Sequence, residues 1–195
     1  MSVTEIIHKK FNHIYQVVCS DSFLSMNSLN GEIPFWIAPY DATTNSQVEV
    51  EIRHLETKLL NNGITPLTID LFKLSCEIVD THIGMDKIFQ VEVKKDKEKF
   101  RKALQSTINI HERLIPRIIE LIRESKPQFL MIKGVGSVYP FIRSHTVLNN
   151  LQSAVKDIPT LMFFPGEYSG QALNLFGLLK DDNYYRAFNI DNFKL

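Results

Sequence analysis

The sequence has little from which to build a covalent scaffold: two cysteines, Cys19 and Cys76, stand far apart in 195 residues. That excludes a disulfide framework, and no spacing suits a structural zinc site. Both lie in apolar, helix-like surroundings and read as buried free thiols of a reducing compartment. Long apolar runs are also missing. No stretch approaches the roughly 20 residues of a membrane-spanning helix. The first ten residues mix charge with apolar side chains, unlike the unbroken core of a signal peptide. Both points lead to the expectation of a cytoplasmic protein with no membrane partner. Excess charge of either sign is absent as well, with 22 basic and 22 acidic residues. A chain-wide basic surface for nucleic acid is thereby excluded. The densest basic stretch, Lys94–Lys102, is interrupted by Asp96 and Glu98 and reads as a solvated helix face rather than a DNA grip.

What is present is an alternation of apolar runs and amphipathic segments. Thr4 is placed to cap a helix over 4–19 whose apolar positions include Ile7, Phe11, Ile14 and Val18. The polar stretch Ser20–Glu32 reads as a loop. Strands are expected at Pro34–Ala38, Thr65–Phe72, Gln128–Lys133, Thr160–Phe164 and Tyr185–Ile190. An extended piece is expected at Ile88–Val93. Helices are expected from Asn45 or Ser46 to Gly63, over Leu74–Thr81, from Asp96 to Glu124, over Phe141–Val155, and over Gln171–Leu178. Pro116 lacks a backbone donor, so the long 96–124 helix should divide near His111–Pro116.

Strand-helix alternation with continuously apolar strands predicts a single three-layer α/β domain over 1–195. Its N-terminal helix packs on a mostly parallel sheet of about five strands. The expected topology is P-loop- or RecA-like, with the first strand central.

The P-loop position is nevertheless chemically empty. A phosphate cradle needs glycines and a lysine, and the Pro39–Ser46 loop has neither. At the end of the third strand, where a magnesium-binding acid would stand, the sequence places Lys133 and Gly134. Nucleotide hydrolysis is therefore not expected, and no catalytic, cofactor-binding or metal-binding residue is assigned. A degenerate domain that senses a nucleotide without hydrolysing it remains the alternative.

Two strand-end loops hold the chain's most specific signals, since such loops form the ligand crevice of open α/β sheets. The candidate interaction or structural residues are Gly134, Gly136, Arg143, His145, Glu167, Tyr168 and Arg186. Gly134 and Gly136 form a tight turn needed first for fold stability, and Gly136→Val should destabilise it if Gly136 has positive φ. Arg143 and Glu167 are placed to brace the two loops as a bidentate pair. Ser144 and His145 are adjacent and point apart on a helix, which excludes a nucleophile-base pair. Tyrosine and arginine concentrate interface energy. If this edge docks a partner, Tyr168→Ala and Arg186→Ala should each weaken binding by about 1 kcal/mol or more. If the residues only brace the fold, stability should fall instead.

These loops carry a resemblance. Gly134–His145, Leu148–Leu151, Phe164–Tyr168, Asn174–Gly177 and Asp182–Phe188 together resemble the BrxB family of bacterial BREX (bacteriophage exclusion) systems. The likeness extends over most of the chain and is strongest in its C-terminal half. It implies a part in phage defence beside a large ATPase, a DNA methyltransferase and PglZ, an alkaline-phosphatase-like protein. No enzymatic activity is implied. The expectation is a non-enzymatic adaptor or regulator that binds another BREX component, the PglZ-like protein first.

Overall fold

The computed structural model describes residues 2–26, 34–180 and 186–195. Helix α1 (Val3–Val18) begins two residues earlier than the Thr4 cap predicts. Ser2 is the cap: its hydroxyl accepts from the Glu5 amide at 3.2 Å, while Glu5 accepts from the Ser2 amide at 2.6 Å. This reciprocal box satisfies two donors that an uncapped helix leaves open. The expected loop after Cys19 holds a short helix, α2 (Asp21–Leu24), whose Phe23 is fully buried. The rest of that stretch, 27–33, lies outside the described residues.

The chain then alternates as expected: β1 (Phe35–Tyr40), α3 (Asn45–Asn61), β2 (Pro66–Asp70) and α4 (Leu71–His82). Helices α5 (Met85–Lys94), α6 (Lys97–Ile108) and α7 (Ile115–Ser125) follow, and then β3 (Phe129–Lys133). The C-terminal part contains α8 (Ser144–Ala154), β4 (Thr160–Tyr168), β5 (Leu173–Leu175), β6 (Leu179–Lys180) and β7 (Phe188–Asn189). Parallel strands run in the order β2-β3-β4-β1-β7, and β5 and β6 add an antiparallel extension to β4. β1 therefore lies one place from the sheet's middle strand, β4. The order is compatible with a P-loop-like arrangement.

Each buried strand serves two cores because successive side chains point to opposite faces. Trp36, Ala38, Phe129, Met131, Leu161 and Phe163 meet α1, α2 and α3 on one face. Phe35, Ile37, Leu130, Ile132, Met162 and Phe164 meet α4 to α8 on the other. The first face is rich in aromatic contacts, with Phe23 4.6 Å from Trp36 and Phe11 stacked 5.7 Å from Phe163. That is why the N-terminal helices belong to the core.

Four local expectations are corrected. Ile88–Val93 is helical, not extended: it lies within α5, which starts at Gly84 with the Asp80 carboxylate accepting from the Met85 amide at 2.9 Å. Its β-branched residues occupy a largely exposed helix with only Ile88 buried. Gln171–Leu178 is a β5–β6 hairpin, not a helix. Gly170, Phe176 and Gly177 all have positive φ, and Gly166 to Tyr168 recruit β5 by antiparallel pairing. The predicted division of the long helix occurs, but at Asn109, where φ is 31° and one π-helical turn spans Ile110–Leu114. Pro116 then falls in the first turn of α7, where its missing donor costs nothing. Finally, Phe141–Arg143 is not helical. The Tyr139–Pro140 peptide is cis within a series of turns, and α8 starts at Ser144. Of the expected strand Tyr185–Ile190, Phe188 and Asn189 pair with β1, and Tyr185 lies outside the described residues.

Candidate functional site: the loop-bearing edge of the sheet

Parallel register sets the C-terminal ends of the strands side by side, with Tyr40 opposite Pro165 and Asp70 opposite Lys133. In an open α/β sheet this edge is where a ligand crevice forms. Here the protein's own ions occupy it. The Lys133 ammonium donates to Glu49 of α3 and stands 3.3 Å from Asp70. The three side chains are 14%, 26% and 18% exposed. Asp70 is committed twice, because its second oxygen caps α4 by accepting from the Phe72 and Lys73 amides at 3.1 and 3.2 Å.

The Pro39–Ser46 loop is closed on itself. Asp41 accepts from the amide and hydroxyl of Thr43 at 2.8 and 2.7 Å, and these bonds hold its carboxyl below the usual range. The Tyr40 hydroxyl donates to Asn45 at 2.7 Å. Burial, and then the Glu49 charge, push that phenol well above its ordinary value. For Lys133, burial pulls the ammonium down, but the hydrogen bond and charge of Glu49, joined by Asp70, outweigh it and the net shift is upward.

Both shifts have the same sign for stability. Each group binds its proton more tightly in the folded chain, so its contribution is complete below the unfolded value and fades as pH rises through the folded one. The melting temperature should therefore fall on the alkaline side, beginning near the ordinary tyrosine and lysine values of about 10. Tyr40→Phe should flatten part of that fall. A melting temperature level across this range, or an equal fall in Tyr40→Phe, would contradict the assignment.

The two loops lock together through an aromatic side chain. Phe176, in the left-handed region at φ 59°, donates its amide to Pro165 O at 2.8 Å. Its ring lies edge-on to Tyr139 at 6.5 Å. A Cβ on Gly136 would stand 2.8 Å from that ring and 2.9 Å from Pro165. Gly136 is thus required for close approach, and the condition of positive φ is not met there. The left-handed glycine of the turn is Gly134 (φ 77°), where a Cβ would stand 2.7 Å from the Asp70 carboxylate.

The remaining candidates separate. Among the described residues no ion pair joins Arg143 to Glu167. Glu167 instead accepts from Asn174 at 3.2 Å across the hairpin, and Arg143 faces a groove beside α6. Tyr168 is 7% exposed and donates its hydroxyl to Ala187 O at 2.7 Å, which makes it a brace between β4 and the C-terminal strand. His145 is half-buried in the first turn of α8. Arg186 is exposed, and its carbonyl accepts from Gln152 of α8 at 2.7 Å. Among the described residues no cluster of three or more histidine, cysteine, aspartate or glutamate side chains is placed to hold a metal. No described helix is long and apolar enough to cross a membrane. Within the basic stretch at α6, Glu98 pairs with two of the cations, at 2.5 Å from Arg101 and 3.7 Å from Lys102.

Sequence reasoning missed the partnership of Lys133 with Glu49 and Asp70. The available signal was a lysine ending an otherwise apolar strand, which needs a counter-charge if it stays at the sheet edge. It also missed Phe176, hidden within an apparent helix. Beyond the sealed edge, several large apolar side chains reach solvent. Leu178 is 82% exposed, and Tyr139, Phe176 and Leu179 are also exposed.

Fold and site together define a three-layer α/β protein of mostly parallel sheet whose usual ligand crevice is filled by its own side chains. Comparison with known proteins gives the family. The family model described as BREX protein BrxB matches residues 67–190. A curated relative bearing that description, from Bacillus cereus (strain H3081.97), is 36% identical over 94% of this chain and 97% of its own. Another so described, from Escherichia coli O9:H4 (strain HS), is 27% identical over 96% of this chain and 93% of its own. No solved structure matches. The chain belongs to the BrxB family, and its role lies in the BREX phage-defence system.

Proposed function

We propose that the chain is a non-enzymatic adaptor of the BREX system that acts in the cytoplasm. Its partner is another BREX component, in the first place the PglZ-like protein. The observation that carries this reading is the state of the sheet edge. Lys133 is shared between Glu49 and Asp70, which engages all three side chains where an enzyme of this architecture would keep reacting groups. Beside them the β4–β6 hairpin and the 134–143 turn, joined by Phe176, present apolar side chains to solvent. Contiguous exposed apolar surface with polar neighbours is the usual mark of a protein-binding face. The neutral charge balance of the whole chain places direct DNA contact outside the proposed role.

Exposed and buried candidates report different things. Leu178→Ser removes an exposed side chain of the β5–β6 turn and should weaken capture of the PglZ-like protein while leaving the melting temperature near wild type. Arg186 lies by parallel register at the opposite, N-terminal end of the strands. Arg186→Ala should therefore do the same only if the docking face reaches past Tyr168 to that end. A loss of about 1 kcal/mol or more, roughly fivefold to tenfold in affinity, is the expected scale for an anchor. Tyr168→Ala removes a buried brace and should lower stability whether or not the edge docks anything. If Leu178→Ser binds as wild type, the docking edge is elsewhere. A nucleotide thermal-shift series tests the sensing alternative, because a ligand of the native state raises its melting temperature. A specific upward shift with ATP or GTP would favour a sensor over an adaptor.

A further inference from the structure

On the face opposite α1–α3, a groove of about 440 Å³ opens between the end of α6, the π-helical turn and the start of α8. This volume is within the range of about 300–1,000 Å³ typical of small-molecule sites. Its composition is divided. Ile108, Ile110, Phe141 and Ile142 supply apolar wall, while Gln105, Ser106, Asn109, His111, Arg143 and Thr146 supply donors and acceptors. No acidic residue lines it. The neighbouring Glu112 is occupied, accepting from the Asn109 side chain at 2.7 Å.

Two features distinguish this groove from a packing defect. The first is backbone geometry. Asn109 is a non-glycine residue at φ 31°, and the π-helical turn after it displaces Ile110 and His111 from the line of α6. π-Helical turns and strained residues of this kind concentrate at ligand sites, because the α-helix is locally more stable. The second is Arg143. Its guanidinium is exposed and makes no hydrogen bond or ion pair among the described residues, while its backbone is held in place at the start of α8. Gln105 ties the opposite wall to the same loop, donating to Pro140 O at 3.3 Å. An arginine with five donors and a held backbone, lining an acid-free groove with an apolar wall, suits a phosphate attached to a compact apolar body.

We propose that this groove binds a small organic phosphate. Arg143 takes the phosphoryl oxygens with help from His111 and Thr146, and the apolar remainder lies on Ile108, Ile110 and Phe141. The groove shares Phe141–Arg143 with the turn that borders the proposed docking face, but its lining includes none of Lys133, Glu49 and Asp70, and phosphate binding does not depend on docking.

Phenyl phosphate is a suitable probe, with inorganic phosphate and phenol as its separated halves, followed by amide chemical shifts of the whole chain. Phenyl phosphate should saturably move the signals of Asn109–His111 and Arg143–Thr146. Either half alone should bind the same residues more weakly. Arg143→Gln should raise the dissociation constant about tenfold or more. Lys58→Gln, on α3 across the sheet, should leave it unchanged. Should Arg143→Gln lose its folded spectrum, His111→Gln gives the same test from the other wall, with a several-fold weakening expected. The proposal fails if no saturable binding occurs up to millimolar concentration. It also fails if the shifts scatter over surface lysines, or if a folded groove variant binds as wild type.

Discussion

Gly166→Ala should be among the most damaging single-methyl additions to this chain, lowering stability by at least about 3 kcal/mol. Gly166 has φ 153° and pairs with Leu175 in the first antiparallel step from β4 to β5. A Cβ there would lie 2.1 Å from Asn174 O and 2.9 Å from the Phe176 amide nitrogen. Those are backbone atoms of the facing strand and cannot rotate away as a side chain would. Relief requires β5 to move, and moving β5 withdraws Phe176 from Gly136 and Tyr139, so the two loops part together. For a chain of this size the change corresponds to a fall in melting temperature of about 6–12 °C. Gly170→Ala is the control. Gly170 also has positive φ (87°), but a Cβ there meets nothing within 4 Å, so only backbone strain of roughly 1–2 kcal/mol applies. Equal melting temperatures for the two variants would show that the hairpin is not held by this contact.

Lys133→Met should cost about 2 kcal/mol. The usual penalty of about 3–5 kcal/mol for breaking a buried pair is reduced here because all three side chains retain some exposure. The substitution keeps the apolar stem but leaves Glu49 and Asp70 without their shared cation. Adding Glu49→Gln should then recover about 1 kcal/mol, because the second change removes one of the stranded charges. The double variant should also lose much of the alkaline sensitivity assigned to Lys133. Additive losses, with the double variant weaker than Lys133→Met alone, would mean that Lys133 and Glu49 do not act as a unit. Any gain of ATP turnover in Lys133→Met would overturn the view that this ion cluster only seals the edge.

The layered fold was legible because its strands are continuous apolar runs and its helices keep a 3.6-residue spacing. Both patterns record burial, and burial is what sequence states most directly. The errors fall where burial is slight or shared. In α5 only Ile88 is buried, so Val91 and Val93 followed their β-branched propensity on paper and their capped helix in the fold. Over Gln171–Leu178 the apolar residues were countable, but the outcome depends on Gly166 admitting a second backbone beside β4. That is a long-range condition which a local window does not contain.

The candidate site was legible to the level of its loops. Gly134 and Gly136 follow β3 and Tyr168 ends β4, but Arg186 precedes β7 and so lies at the opposite, N-terminal end of the parallel strands. The split between packing and exposure is not one that spacing alone reveals. Arg143 and Glu167 look complementary in sequence, yet the hairpin turns Glu167 toward Asn174. The partners of Lys133 come from positions 49 and 70, far away in sequence, and only the parallel register of β2 with β3 brings Asp70 beside it.

The central claim is that this BrxB-family chain works by holding another BREX protein. The most direct measurement is affinity purification of the tagged chain from a host carrying the complete defence cluster, with every co-eluting protein identified and quantified. The account predicts that the PglZ-like protein co-elutes in near-stoichiometric amount with the wild-type chain and is depleted with Leu178→Ser. Elution of a folded wild-type chain with no BREX protein at stoichiometric level would contradict it.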